Sequence, residues 1–171
     1  MSPTVTTSYT VTGTITGCTN TAVEVISVNT APTITISATS SSICSGFSST
    51  LTGSGAITYT WSGGPFTAAY AVSPTITTTY TLTGTAANSC TDSAVRTISV
   101  NTTPILTITP SSTVICSGNA ATLTASGAST YTWSGGPATA AYAPSPTVTT
   151  SYTVTGTSSG CTNSAVQSLS V

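Results

Sequence analysis

Ionisable side chains are nearly absent from this sequence: its 171 residues include one basic residue, two acidic ones, no Lys and no His. They are Arg96, Glu24 and Asp92. General acid–base catalysis requires a titrating group held close to the reacting atom. Metal binding requires clustered imidazole, carboxylate or thiolate ligands. The many Ser and Thr hydroxyls have no His or Lys to activate them as nucleophiles. No enzyme activity, cofactor or metal is therefore expected. A single Arg also supplies too little positive charge for nucleic-acid binding, which depends on several Lys or Arg contacts to phosphate. No apolar run approaches the roughly 18 residues of a membrane-crossing helix, so no membrane span is expected. The opening Met1-Ser2-Pro3 lacks the basic and apolar regions of a secretory signal; either a segment outside this sequence directs export, or Met1 is an artificial start.

Low charge with high polarity is not by itself disorder, because disordered segments are poor in β-branched and aromatic residues and carry high net charge. Here Thr, Val and Ile dominate, with Tyr and Trp at regular intervals, as a pleated, half-buried surface favours. The solvent face is Thr and Ser where Lys and Glu would ordinarily maintain solubility and blunt sheet edges. Glycans or lateral assembly are expected to fill that role.

An internal repeat sets the organisation. The segment SPTVTTSYTVTGT at Ser2 returns as SPTITTTYTLTGT at Ser73 and as SPTVTTSYTVTGT at Ser145, offsets of 71 and 72 residues. Trp61 and Trp133, Cys44 and Cys116, Pro32 and Pro104, and Asn29 and Asn101 are each 72 apart. Linkers at 29–32 and 101–104 predict complete repeats at residues 30–100 and 101–171. Residues 1–29 are the last part of a preceding repeat, an F-G hairpin. Short alternating strands bounded by Gly, Pro, Ser and Asn predict an all-β sandwich. In the last repeat they fall at 105–109 (A), 114–116 (A′), 121–125 (B), 130–134 (C), 140–143 (E), 151–157 (F) and 165–171 (G). Alternation in F turns Tyr152 and Val154 toward the core, as it does Tyr80 with Leu82 and Tyr9 with Val11.

The Trp of the third strand, and a Tyr two residues before an inward apolar position, resemble landmarks of the immunoglobulin fold. The pattern ICSG…ATLTASG…YTWSGG…SPT-TT-YTVTGT…GCT resembles the Ig-like and PKD-like repeats of large secreted surface proteins, of adhesin or gliding-associated type, from Bacteroidetes-type bacteria. That resemblance covers essentially the whole chain and implies stalk and adhesion roles at an extracellular or cell-surface location. It departs from antibody domains at the cysteines, which do not stand two residues beyond the strand F Tyr.

Glu24, Arg96 and Gln167 occupy equivalent positions, so the charged residues there mark a variable position on strand G. Asp92 matches Asn20 and Asn163, where a turn wants an Asx side chain. Tyr59, Trp61 and Tyr70, with Tyr131, Trp133 and Tyr142, read as core residues; as exposed coplanar rings they would instead form a sugar-stacking platform, and burial of both Trp side chains would remove that alternative. Asn101-Thr102-Thr103 fits the N-glycosylation pattern. Ser93 lies in Asp92-Ser93-Ala94, which resembles the O-glycosylation triplet of Bacteroidetes-type secreted proteins.

Five cysteines in such a chain read as a disulfide framework with one left over. Two schemes stand. Pairing within repeats joins Cys44 to Cys90 and Cys116 to Cys161, leaves Cys18 with a partner outside this segment, and comes first because it assumes nothing about domain packing. Pairing between repeats joins Cys44 to Cys161 and leaves Cys18, Cys90 and Cys116 for adjoining repeats or chains. The expected function is mechanical: a stalk, adhesin or filament built from head-to-tail β-sandwiches, self-associating with further copies or repeats, the hairpin of residues 1–29 being completed by strands of another chain or by residues upstream. The alternative is a carbohydrate- or protein-binding module of a larger secreted protein.

Overall fold

The computed structural model describes residues 2–171, and every regular element among them is a β-strand. β1 (Thr7–Ile15) and β2 (Cys18–Ile26) pair antiparallel along their whole length. Next come β3 (Thr35–Ala38), β4 (Ser42–Cys44), β5 (Ser49–Ser54), β6 (Thr58–Trp61), β7 (Ala69–Val72), β8 (Thr78–Thr85) and β9 (Thr91–Asn101). They form sheets of order β3-β5-β7 and β4-β9-β8-β6. The series then repeats with β10 (Thr107–Pro110), β11 (Leu123–Ser126), β12 (Thr130–Trp133), β13 (Ala141–Tyr142), β14 (Thr150–Ser158) and β15 (Cys161–Leu169), in sheets β10-β11-β13 and β12-β14-β15. Strand by strand this is A-B-E against C-F-G, the division of an immunoglobulin-like sandwich. The fold is all-β, with tandem Ig-like β-sandwich repeats.

By contacts the chain forms two compact units. The first comprises Met1–Thr39, Thr50–Tyr70 and Thr79–Arg96. Its buried side chains are Ile34, Leu51, Trp61 and Leu82. Tyr70 tilts against Trp61 at 5.7 Å between centroids and meets Tyr80 edge-on at 5.9 Å, arrangements that aromatic quadrupoles favour. The second comprises Ser40–Ser49, Ala71–Thr78 and Thr97–Val171. There Ala121, Leu123, Ala125, Trp133, Val154 and Leu169 form one buried cluster, with Leu106, Ile108, Tyr131, Tyr142 and Tyr152 packed on it. Leu123 and Ala125 alternate with exposed Thr124 and Ser126 on β11, the period-2 pattern that the sequence predicts. Each fully buried Leu or Val removes enough apolar area from water to contribute roughly 1.5–3 kcal/mol.

Most strand edges shift by one or two residues from the sequence expectation, and two elements differ by more. β15 begins at Cys161, not at 165, because Ser159 and Gly160 take φ of 49° and 78°. Two consecutive positive φ values make a two-residue hairpin turn that lets the ladder start at once, and Ser158 pairs directly with Cys161. The expected A′ strand at 114–116 is a single parallel bridge from Val114 to Ser170, with Ile115 N–H donating to Ser170 O at 2.9 Å. Its counterpart β4 is a true strand, pairing Ser42–Cys44 in parallel with Ser99–Asn101.

Strand F carries a glycine at one fixed position, and its surroundings divide the three copies. A Cβ on Gly156 would collide with Leu106 and Ala128, and one on Gly84 with Ile34 and Ala56, whereas one on Gly13 would meet nothing within 4 Å. Gly156→Ala is therefore expected to cost about 1–3 kcal/mol by overpacking. Gly13→Ala should change stability by less than about 0.5 kcal/mol, as open surface substitutions do. Urea denaturation of the two variants checks the contrast.

Candidate functional site

Among the described residues no group of three or more His, Cys, Asp or Glu side chains could hold a metal ion. Asp92 Oδ1 accepts the Ser93 N–H at 2.8 Å, and Asn20 and Asn163 accept from Thr21 and Ser164 at 2.9 Å each. All three side chains make the same local Asx contact, so the one acidic member takes the place of an amide. Glu24 is exposed and Arg96 half-buried on the matching strands. No helix among the described residues is long and apolar enough to cross a membrane.

The aromatic residues form no platform. Trp61 and Trp133 are buried, and their Nε1–H groups donate to Thr67 O and Thr139 O at 3.0 Å each. The burial outcome that removes the stacking alternative is the one observed. A feature not anticipated lies beside them: the Tyr131 hydroxyl donates to Ala128 O and accepts the Ala128 N–H, both at 2.8 Å. Tyr59 does the same at Ala56, at 2.9 and 3.0 Å. These phenols tie the B–C turn to strand C; the signal for them was the repeated Gly-Ala-x-Thr-Tyr spacing at Gly55 and Gly127.

Chemistry concentrates at the cysteines. Cys44 and Cys161 are joined, with Cα atoms 5.7 Å apart and a sequence separation of 117. Cys18, Cys90 and Cys116 are free. The within-repeat pairing is thus replaced by the between-repeat one, for a reason of strand length. Val114 sits beside Ser170, just past the far end of β15, while Cys161 opens that strand. At about 3.4 Å per residue this places Cys116 and Cys161 roughly 30 Å apart, against a limit of about 7 Å between bonded Cα atoms. Asn101 completes the junction: its Nδ2 donates to Ser159 O at 2.8 Å and to Ser42 Oγ at 3.2 Å. Cys161 Sγ lies 3.8 Å from the Asn101 carbonyl oxygen. The candidate acceptor nitrogen for an N-linked glycan is therefore engaged in the junction, whereas Ser93 is exposed on β9.

The β1–β2 hairpin presents a second feature. Val11 is 67% exposed and Ile26 46%, while the equivalent Leu82 and Val154, and Ile98 and Leu169, are at 0%. Tyr9, Thr10, Val11, Ala22, Val23 and Glu24 line an open groove of about 240 Å³ along it.

No family model and no curated protein matches this sequence. Among solved structures the chain is similar to the three N-terminal domains of the bacteriophage RB49 Highly Immunogenic Outer Capsid protein (Hoc). The sequence identity is 20% and the TM-score 0.43, over 81% of this chain and 58% of that one, so this chain spans less than two thirds of that structure.

Proposed function

We propose that this chain is a structural repeat module of an extracellular or surface assembly, which extends, connects or displays by joining Ig-like repeats end to end. Residues 30–100 and 101–171 act as its complete repeats and residues 1–29 as the F-G part of another. The observation that carries the proposal is the hairpin face. Val11 and Ile26 stand in water at positions where both other copies are fully buried. An isolated two-stranded hairpin is marginal in water, so a face of this kind gains stability when the other strands of a repeat, supplied by a second chain or by residues preceding residue 1, cover it. A contact between unlike surfaces need not close and propagates into a fibre. The inter-repeat disulfide supports an oxidising location. With two acidic residues and one basic, such an assembly has little charge repulsion to overcome; glycans on Ser93 would supply solubility in its place.

Light scattering with electron microscopy tests this. Concentration-dependent growth into fibres is expected, together with protection of β1–β2 amides from hydrogen exchange that rises with concentration. A chain that stays monomeric, with β1–β2 protected by contacts inside itself, would be incompatible with the proposed association.

A further inference from the structure

The chain that joins Cys44 to Cys161 also reproduces each half of their junction at a free cysteine. Cys44 stands in a Cys-Ser-Gly loop held by three hydrogen bonds. Ser45 Oγ donates to Thr75 O at 3.3 Å, Gly46 N–H to Pro74 O at 3.3 Å and Phe47 N–H to Cys44 O at 2.9 Å. Cys116 stands in the same loop with the same three bonds: Ser117 Oγ to Thr147 O at 3.2 Å, Gly118 N–H to Pro146 O at 3.0 Å and Asn119 N–H to Cys116 O at 2.9 Å. The other half is a turn. Cys161 follows Ser159 and Gly160 at φ 49° and 78°, and Cys18 follows Thr16 and Gly17 at φ 47° and 83°. Ile15 pairs with Cys18 as Ser158 pairs with Cys161. Both halves of a bond that this fold already makes are thus preformed, and both free thiols are exposed.

We propose that Cys116 of one copy and Cys18 of a second copy form an intermolecular disulfide at a junction of the Cys44–Cys161 kind, linking copies head to tail. A second copy is the partner because a chain with this repeat carries both required half-sites, each unbonded. Cys90 is the weaker claimant. Its loop differs, with Ser89 alone at positive φ and Ala86 N–H donating to Cys90 O at 2.9 Å. Its Sγ lies 4.0 Å from Asn29 O, as Cys161 Sγ lies 3.8 Å from Asn101 O, but Cys90 is half-buried whereas Cys18 and Cys116 are exposed.

The oxidant is a small disulfide such as oxidised glutathione. The Cys116 thiolate attacks it, forming a mixed disulfide and releasing one glutathione thiolate. The Cys18 thiolate of the second copy then attacks the Cys116 sulfur, forming the Cys116–Cys18 bond and expelling the second glutathione. Two cysteine protons end on two glutathione thiols, and two electrons reduce the one glutathione disulfide.

The proposal rests on the end-to-end association above, and the test separates them, because scattering in a thiol reductant reads association without the bond. The purified chain is incubated in oxidised and reduced glutathione and run on a non-reducing gel. A ladder of covalent oligomers is expected, with the Cys18 peptide linked to the Cys116 peptide on mapping. Cys18→Ser and Cys116→Ser should each abolish the ladder, an equal mixture of the two should stop at dimers, and Cys90→Ser should leave it unchanged. A wild-type chain that forms no covalent oligomers, a ladder that survives Cys18→Ser or Cys116→Ser, one lost in Cys90→Ser, or a mapped Cys116–Cys116 bond would each overturn the assignment.

Discussion

Replacing Trp133 by Ala is expected to lower the stability of the second unit by about 3–5 kcal/mol, the range for deleting a buried aromatic side chain. The indole is 2% exposed at the centre of the cluster formed by Leu123, Val154 and Leu169. Three contributions combine. Apolar area is lost, a cavity opens beneath Tyr142 whose ring lies 5.7 Å away, and Thr139 O loses the Nε1–H donor. The loss is large against the roughly 5–15 kcal/mol that a small domain has in total. Hydrogen exchange resolves where it falls: amides of β11, β12, β14 and β15 should exchange by a factor of more than about 100 faster, since each 1.4 kcal/mol is tenfold in the opening equilibrium. Trp133→Phe should recover part of the loss by refilling much of the volume, although Thr139 O still lacks its donor. Unchanged exchange in Trp133→Ala would mean that the indole does not hold the two sheets together.

The central role of Trp133 was legible in the sequence because its cause is local. Thr130-Tyr131-Thr132-Trp133 alternates with period 2, ends at a Gly-Gly-Pro turn and recurs at Thr58, so strand, face and copy number could all be read from one line of residues. Leu123 with Ala125 and Tyr152 with Val154 were readable for the same reason. What could not be read depends on backbone states or distances that residue types do not specify. Ser159 adopts a positive φ without being Gly, so the tight turn before Cys161 looked like a loop and β15 seemed to start four residues later. The hydroxyl contacts of Tyr59 and Tyr131 depend on how the B–C turn curls back over the ring. The cysteine pairing depends on which end of a strand each thiol occupies. The pairing of Cys116 with Cys161 came first because it assumes nothing about how repeats pack end to end, and the length of β15 forbids it.

Converting Cys44 and Cys161 together to Ala is expected to destabilise the chain by about 5 kcal/mol in the chain-entropy account of cross-links. The bond closes a loop with a sequence separation of 117. Such a cross-link removes far more freedom from the unfolded chain than a 45-residue bond within one repeat would, although the logarithm compresses the difference to about 0.8 kcal/mol. The folded side is already organised for the bond. Asn101 Nδ2 clamps Ser159 O, Ser45 N–H donates to Asn101 O at 3.0 Å, and Cys161 is buried, so the cross-link should add stability with little distortion to offset it. For a chain of this length about 5 kcal/mol corresponds to a fall in Tm of roughly 10–20 °C. Calorimetry with and without a thiol reductant gives the measurement its internal control: the wild type should lose that interval on reduction, and the double variant should start at the reduced value and ignore the reductant. An oxidised wild type melting with the double variant would mean that the Asn101 contacts, rather than the covalent bond, hold this junction.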